Sequence, residues 1–271
     1  MSETKGLMTE GVIWKKILWF SVPLLLGNVF QQLYNTVDSI VVGHYIGDSA
    51  LAAVGSASPI LNMLLVLFVG ISAGVGIMVS QYFGAKNREE LSHTIGTSIT
   101  LTALCSLFLM LVAPFAVQPI LNLLNTPAGI IDGCASYLTI MMYGVAGMAY
   151  YNILSGILRG MGDSFSALIY LLVATGINIA LDIYFVAVIG MGVYGVALAT
   201  AIAQGVSALL CFWKLAHMTT LFDLRLHHLK LTRRHAVRIF KLGLPSGITQ
   251  MIFSSAMIVV QSLTNYFGEM L

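Results

Sequence analysis

Charge is scarce in this sequence. Only 9% of its 271 residues are Asp, Glu, Lys or Arg, and 58% are hydrophobic; soluble domains carry about a quarter charged residues. So little charge cannot cover a water-facing surface, and a mean hydropathy of +0.90 points to an integral membrane protein. Cysteine is sparse and odd in number. Cys105 and Cys211 lie in apolar stretches and, with Cys134, read as small buried hydrophobes, which excludes a disulfide framework or a cysteine metal centre. No GxxxxGK[ST] loop is present, so no ATP-driven engine of that type is expected. No His pair has metal-ligand spacing inside an apolar span: His44 and His93 sit near span ends, and His227 and His228 fall in a basic loop. No Ser/His/Asp set suggests an intramembrane hydrolase, so no enzyme is expected.

One further absence orients the chain. Lys and Arg are missing from every second connection between the apolar segments. Spans are expected at about 17–42, 50–80, 93–118, 134–157, 165–189, 193–213 and 237–266, each near the roughly 20 residues a bilayer crossing needs. The thirteen cations fall before the first span (Lys5, Lys15, Lys16), then at Lys86, Arg88 and Arg159, and then in the 214–241 stretch. Cations resist translocation, so the N-terminus and the 214–241 stretch are expected in the cytoplasm. The same bias explains the basic 225–241 run, and no nucleic-acid partner is expected. More spans follow the first, which is therefore not read as a cleaved leader.

What is abundant is glycine, with 26 residues. Gly43 to Gly47 and Gly190 to Gly192 mark outer turns, and Gly84-Ala85-Lys86-Asn87 and Arg159-Gly160-Met161-Gly162-Asp163 mark inner ones. Clusters such as Gly70, Gly74 and Gly76 within spans suit close helix packing in lipid. Asn125-Thr126-Pro127 opens an outer loop with room for a short interfacial helix between Pro119 and Asp132. Tryptophans and tyrosines such as Trp14, Trp19, Tyr45 and Trp213 gather near span ends as an interfacial belt.

An internal repeat sets the organisation. Ile17-Leu-Trp-Phe-Ser-Val-Pro23 is similar to Ile239-Phe-Lys-Leu-Gly-Leu-Pro245. Both follow basic clusters and run to a glycine-acid pair, Gly47-Asp48 and Gly268-Glu269. Six spans return the chain to its starting side, so the repeat would be parallel. The expected fold is all-α: a six-helix transmembrane lobe over 1–213, a basic linker over 214–236 with an amphipathic stretch, and the first helix of a second lobe over 237–271. On that reading most of a C-terminal lobe is missing and the chain is a truncated form.

Among eleven acids only Asp38 and Asp182 lie deep inside spans. An isolated acid there costs roughly 2.5–3.5 kcal/mol on insertion scales, so it must be protonated, paired or cation-bound. Asn178 lies one turn before Asp182 on the same face. Thr200, Asn152 and Tyr137 can add further oxygens, a hard-ligand set that suits Na+ as well as a proton. Pro23 removes a backbone hydrogen bond and bends the first span.

Five separated segments carry a family resemblance: Pro23; Gln31-Gln-Leu-Tyr-Asn-Thr-Val-Asp38-Ser-Ile-Val-Val-Gly43 with Gly47; Leu51-Ala-Ala-Val-Gly55; Leu158-Arg159-Gly160-Met161-Gly162-Asp163; and Asn178-Ile-Ala-Leu-Asp182. In this order they resemble the multidrug and toxic compound extrusion (MATE) family, in the bacterial and archaeal branch with acids in both spans one and five. The resemblance implies a two-lobe, twelve-helix antiporter of the cell membrane. It would export cationic or amphipathic small molecules against inward Na+ or H+, with no other cofactor. It also implies a coupling-cation site of Asp38, Asn178, Asp182 and Thr200, with Gln31, Tyr137 and Asn152 as polar cavity lining. Two alternatives are a lipid-linked sugar flippase of the same superfamily, whose cavity would carry cations, and a non-transporting membrane interaction subunit.

The orientation is directly testable. In a background lacking the native cysteines, Ser49→Cys should react with an impermeant thiol reagent added outside intact cells, and Thr232→Cys should not. The opposite labelling pattern would invert the topology.

Overall fold

The computed structural model describes residues 12–123, 126, 129–218, 221–223 and 229–268. These residues form helices joined by short turns, with no strand among them. In order they are α1 (Ile13–Tyr45), α2 (Asp48–Gly84), α3 (Arg88–Leu123), α4 (Ile131–Tyr143), α5 (Val145–Gly160), α6 (Ser164–Asp182), α7 (Val193–His217) and α8 (Arg233–Gly268). Five are long and apolar enough to cross a membrane: α1, α2, α3 over Arg88–Val112, α6 with the turns after it to Val188, and α7. The 37 residues of α2 reach about 55 Å at 1.5 Å per residue, well past a hydrocarbon core of about 30 Å.

Three expected spans take a different form. The fourth is two helices, α4 of 13 residues and α5 of 16, which meet at Gly144. There a Cβ would press on the Ala201 side chain of α7, so glycine permits the close approach that interrupts the helix. The fifth span is α-helical only to Asp182 and continues as a π-helical segment over Ile183–Val188. The third does not stop near 118. It runs to Leu123, taking up residues that left room for an interfacial helix after Pro119. Asn125 and Pro127 lie outside the described residues.

The turns obey simple stereochemistry. Gly47, Gly162, Gly190 and Gly192 have φ of +107°, +91°, +77° and +61°, values that favour residues without a Cβ. Of the four buried clusters among the described residues, two are large. One, at the basic end, gathers Leu91, Leu158, Met161, Leu215, Phe222 and Ile239. The other gathers Ala53, Ala57, Leu121, Leu138 and Met141. By contrast α1 leans mainly on α6; Val41 and Val42 near its end are buried, while Trp19 is 81% and Leu25 64% exposed.

The 214–236 stretch is less solvated than its composition suggests. No amphipathic helix forms in its described part: α7 runs on to His217, and α8 begins at Arg233. Phe222 is buried, Asp223 pairs with Arg88 at 2.9 Å, and the Thr100 hydroxyl donates to the Leu229 carbonyl. His227 and His228 fall outside the described residues. These contacts deliver α8 to α2, where Gly70 and Gly74 face Gly243 and Gly247 backbone to backbone. At the basic end His235 Nε2 lies 3.0 Å from Glu90 Oε2 and Arg234 Nη1 lies 3.3 Å from Glu90 Oε1. Arg238 donates to the Tyr82 hydroxyl at 2.9 Å and to Gln81 Oε1 at 3.0 Å.

The glycine seam yields a stability prediction. A side chain at Gly74 would meet the Gly243 amide nitrogen at 2.9 Å, whereas one at Gly55 meets nothing within 4 Å. Gly74→Leu should cost about 1–3 kcal/mol as an overpacking change, seen as a lower Tm of the detergent-solubilised chain and faster hydrogen exchange in α8. Gly55→Leu should leave both near wild type.

Candidate functional site

Four helices converge on one polar spot in the apolar bundle. Asp38 comes from α1; Asn178 and Asp182 sit one turn apart at the end of α6; Thr200 comes from α7 and Tyr137 from α4. Asn178 and Asp182 are fully buried, and Thr200 and Tyr137 are nearly so, at 3% and 6%. Asp38 is half-buried. The α6 residues are placed by helical period: i and i+4 share a face, and that face is the one α6 turns to α7. Asp182 stands at the α-to-π junction, a local irregularity that recurs at functional positions.

The contacts form a chain. Asn178 Nδ2 donates to Thr200 Oγ1 at 3.3 Å, and Thr200 Oγ1 donates to Asp38 Oδ2 at 3.4 Å. The Asp38 and Asp182 carboxyls are close enough to interact directly. Several oxygens remain without a protein hydrogen-bond partner: Asp38 Oδ1, Asn178 Oδ1 and both oxygens of Asp182. Buried polar atoms are ordinarily satisfied, so oxygens left without partners at one spot are groups that could accept a proton or ligate a hard cation. Carboxylate, amide and hydroxyl oxygens are hard donors, a fit for Na+ or a proton rather than a soft metal.

The four expected site residues are therefore neighbours. Tyr137 joins them, its hydroxyl within electrostatic reach of both acids. Gln31 is half-buried and lies two turns before Asp38 on the same side of α1. Asn152 sits elsewhere. Its Nδ2 donates to the Met148 carbonyl of its own helix at 2.8 Å, and it lines a cavity toward the basic end beside Ser72. Pro23 lies inside α1, which continues through it as one helix.

Sequence reasoning missed Tyr34. It is 3% exposed, its hydroxyl has no protein hydrogen-bond partner, and it faces Asp38, Asp182 and Thr200. The available signal was its spacing, one helical turn before Asp38.

Comparison with known proteins bears on the family and the fold. A family model described as MatE matches residues 23–184. The probable multidrug resistance protein YoeA of Bacillus subtilis (strain 168) is 34% identical over 264 residues, covering 95% of this chain and 57% of that protein. The chain thus spans a little over half the length of the curated relatives it matches. Among solved structures, a MOP superfamily transporter from Pyrococcus furiosus, described as having a binding pocket of reverse polarity that suggests a different function, superposes with TM-score 0.88. The identity is 27%, and 97% of this chain and 59% of that one are covered. A MATE protein solved in bent and in straight conformations matches both ways with TM-score 0.87 at 28% identity, over 96–97% of this chain and 58–59% of that one. With its motifs, its helices and more than half its length in agreement, this multi-pass membrane chain belongs to the MatE family of multidrug and toxic compound extrusion proteins.

Proposed function

We propose that this chain forms the ion-coupling part of a secondary active multidrug efflux transporter, which expels cationic or amphipathic compounds in exchange for Na+ or H+. The observation that carries the reading is the buried cluster of Asp38, Asn178, Asp182 and Thr200 with its orphaned oxygens. The name of a relative, a multidrug resistance protein, supports the efflux part. In this reading residues 1–213 are one lobe, 214–236 a cytoplasmic linker and 237–271 the entry to a second lobe that completes the export path. The N-terminus is cytoplasmic, in a bacterial or archaeal cell membrane.

The coupling follows from electrostatics. Two carboxyls at close quarters away from water call for a positive charge between them. Na+ or H+ supplies it from one side of the membrane, and a cationic substrate supplies it from the other. A ligand shifts a conformational equilibrium only through unequal affinity for its two states; ion and drug competing for one acidic spot provide that inequality. The acids favour this reading over the flippase alternative, whose pocket for an anionic lipid carrier would call for cations at this depth.

The mobile wall is α1. It carries Asp38 at one point and Pro23 about four turns away, and it is the least enclosed helix of the bundle. Bringing Asp38 toward or away from Asp182 therefore disturbs little packing. A MATE neighbour has been solved in a bent and in a straight conformation, which is consistent with a moving part; in this chain we assign that part to α1, with Gln31 and Tyr34 carried along.

Two substitutions test these roles in the protein as the cell makes it. Asp38→Asn keeps the volume and removes the charge. Ethidium efflux driven by an imposed Na+ or proton gradient should fall to the level of cells lacking the transporter, with membrane insertion unchanged; undiminished efflux would remove Asp38 from coupling. Pro23→Ala restores a backbone hydrogen bond to α1. It should slow efflux more than it weakens ion binding, measured on the same preparation, and equal loss of both would make Pro23 a shaper of the site rather than a hinge.

A further inference from the structure

The turn Leu158-Arg159-Gly160-Met161-Gly162-Asp163 is one of the clearest motifs of the chain, and ion coupling uses none of it. The fold accounts for five of its six residues. Leu158 and Met161 are buried in the core. Gly160 lies against α2, where a Cβ would come 2.8 Å from the Gly76 carbonyl oxygen. Gly162 takes a left-handed φ of +91°. Asp163 caps α6: its Oδ1 accepts from the Ser166 amide at 3.0 Å and its Oδ2 from the Ser166 hydroxyl at 2.7 Å. Arg159 is left over. Among the described residues no hydrogen bond or ion pair engages its guanidinium, although the residue is half-buried.

Arg159 lines an open-sided cavity of about 900 Å³ between the basic-end halves of α1, α2 and α5. The other cation in the lining is Lys86. Its backbone is held at φ of +54° in the α2–α3 turn, a conformation uncommon outside glycine. Among the described residues no acidic side chain lines the space. Its polar neighbours Ser72 and Asn152 are already engaged, the Ser72 hydroxyl donating to the Asn152 carbonyl at 2.6 Å. Much of the remaining wall is apolar, with Phe20 and Leu24 from α1 and Val69 and Ile77 from α2. The two cations are thus the unspent polar groups of a large, greasy recess.

A half-buried guanidinium without a counter-charge is costly, and its fork matches the oxygens of a phosphate, with an ammonium as a second point charge. The recess is far larger than a bare phosphate requires, and its apolar walls would be wasted on one. We propose that this cavity seats an anionic phospholipid. Its headgroup phosphate is held by Arg159 and Lys86, and its acyl chains lie along Phe20, Leu24, Val69 and Ile77. The site lies at the basic end of the bundle, so the lipid comes from the leaflet facing that end. It is separate from the carboxyl cluster and does not depend on what that cluster couples.

The test is lipid binding to the purified chain in neutral detergent, read by intact-complex mass spectrometry with phosphatidylglycerol and phosphatidylcholine titrated separately. Phosphatidylglycerol should bind in preference. Arg159→Gln and Lys86→Gln should each lower its apparent affinity by roughly fivefold, about what one cation contributes at an anionic lipid surface, and Arg159→Lys should recover most of the loss. Arg233→Gln with Lys241→Gln, in the separate basic patch on α8, should change nothing. Lys86 is in an exposed turn, so Lys86→Gln carries the test should Arg159→Gln fail to fold. Three results would overturn the assignment: equal binding of the two lipids, full binding by the Arg159/Lys86 double variant, or loss caused by the α8 variant instead. Displacement of phosphatidylglycerol by millimolar inorganic phosphate would equally overturn it, in favour of a free-anion site.

Discussion

Two carboxyl groups buried at one spot in an apolar bundle are the constraint on which the rest of this molecule turns. Neither Asp38 nor Asp182 can be left charged and alone away from water, so the fold has to give them company and keep that company adjustable. The company is rigid on one side. Asn178 and Asp182 come from α6 and Thr200 from α7, two helices in extensive mutual contact, and all three residues are shielded from solvent. On the other side Asp38 arrives on α1, which is anchored mainly to α6 and presents large apolar side chains outward. A stiff half-site facing a loosely held half-site is an arrangement in which a single positive charge can decide where a helix rests.

The glycines serve the stiff side. Where helices must approach closely in lipid, the gain comes from backbone contact, since lipid tails solvate apolar side chains as well as protein does. Gly147 meets Gly205 between α5 and α7, Gly160 meets Gly76 between α5 and α2, and Gly74 meets Gly243 between α2 and α8. These seams run through α2, α5, α7 and α8 and avoid α1. The salt-bridged cap of Glu90, Arg234 and His235 adds a polar clasp where α8 begins. There burial lowers the His235 pKa and the neighbouring Glu90 carboxylate opposes the shift.

Much of this was legible in the residues. Strong apolar runs and one-sided cations announced the helices, because both are imposed by the bilayer itself. The pairing of Asn178 with Asp182 was legible from helical period, and Thr200 offered itself as a further oxygen donor, but the company of Asp38 came only through family resemblance, since long-range contacts leave no periodic trace. What escaped was of two kinds. Tyr34 drew no notice as a site residue, because its burial depends on which way α1 faces. The break at Gly144 and the wide turn after Asp182 are responses to neighbouring helices, and a sequence pattern records the helix rather than its neighbour. The Asn152 side chain turns back to the Met148 carbonyl of its own helix, so a polar residue within a span need not belong to the polar site.

The wide turn over Ile183–Val188 fixes the length of the chain at this point. A π-helical turn accommodates one residue more than an α-helical turn. The extra residue lies just past Asp182 and before the Gly190–Gly192 turn that aims α7. Losing one residue there would restore regular α geometry and swing everything downstream by about 100° about the helix axis, carrying Thr200 off the face it shares with Asp182. The segment therefore tolerates changes of side chain far better than changes of length, and lineages that keep the two-acid arrangement should show substitutions but no gaps across these six positions.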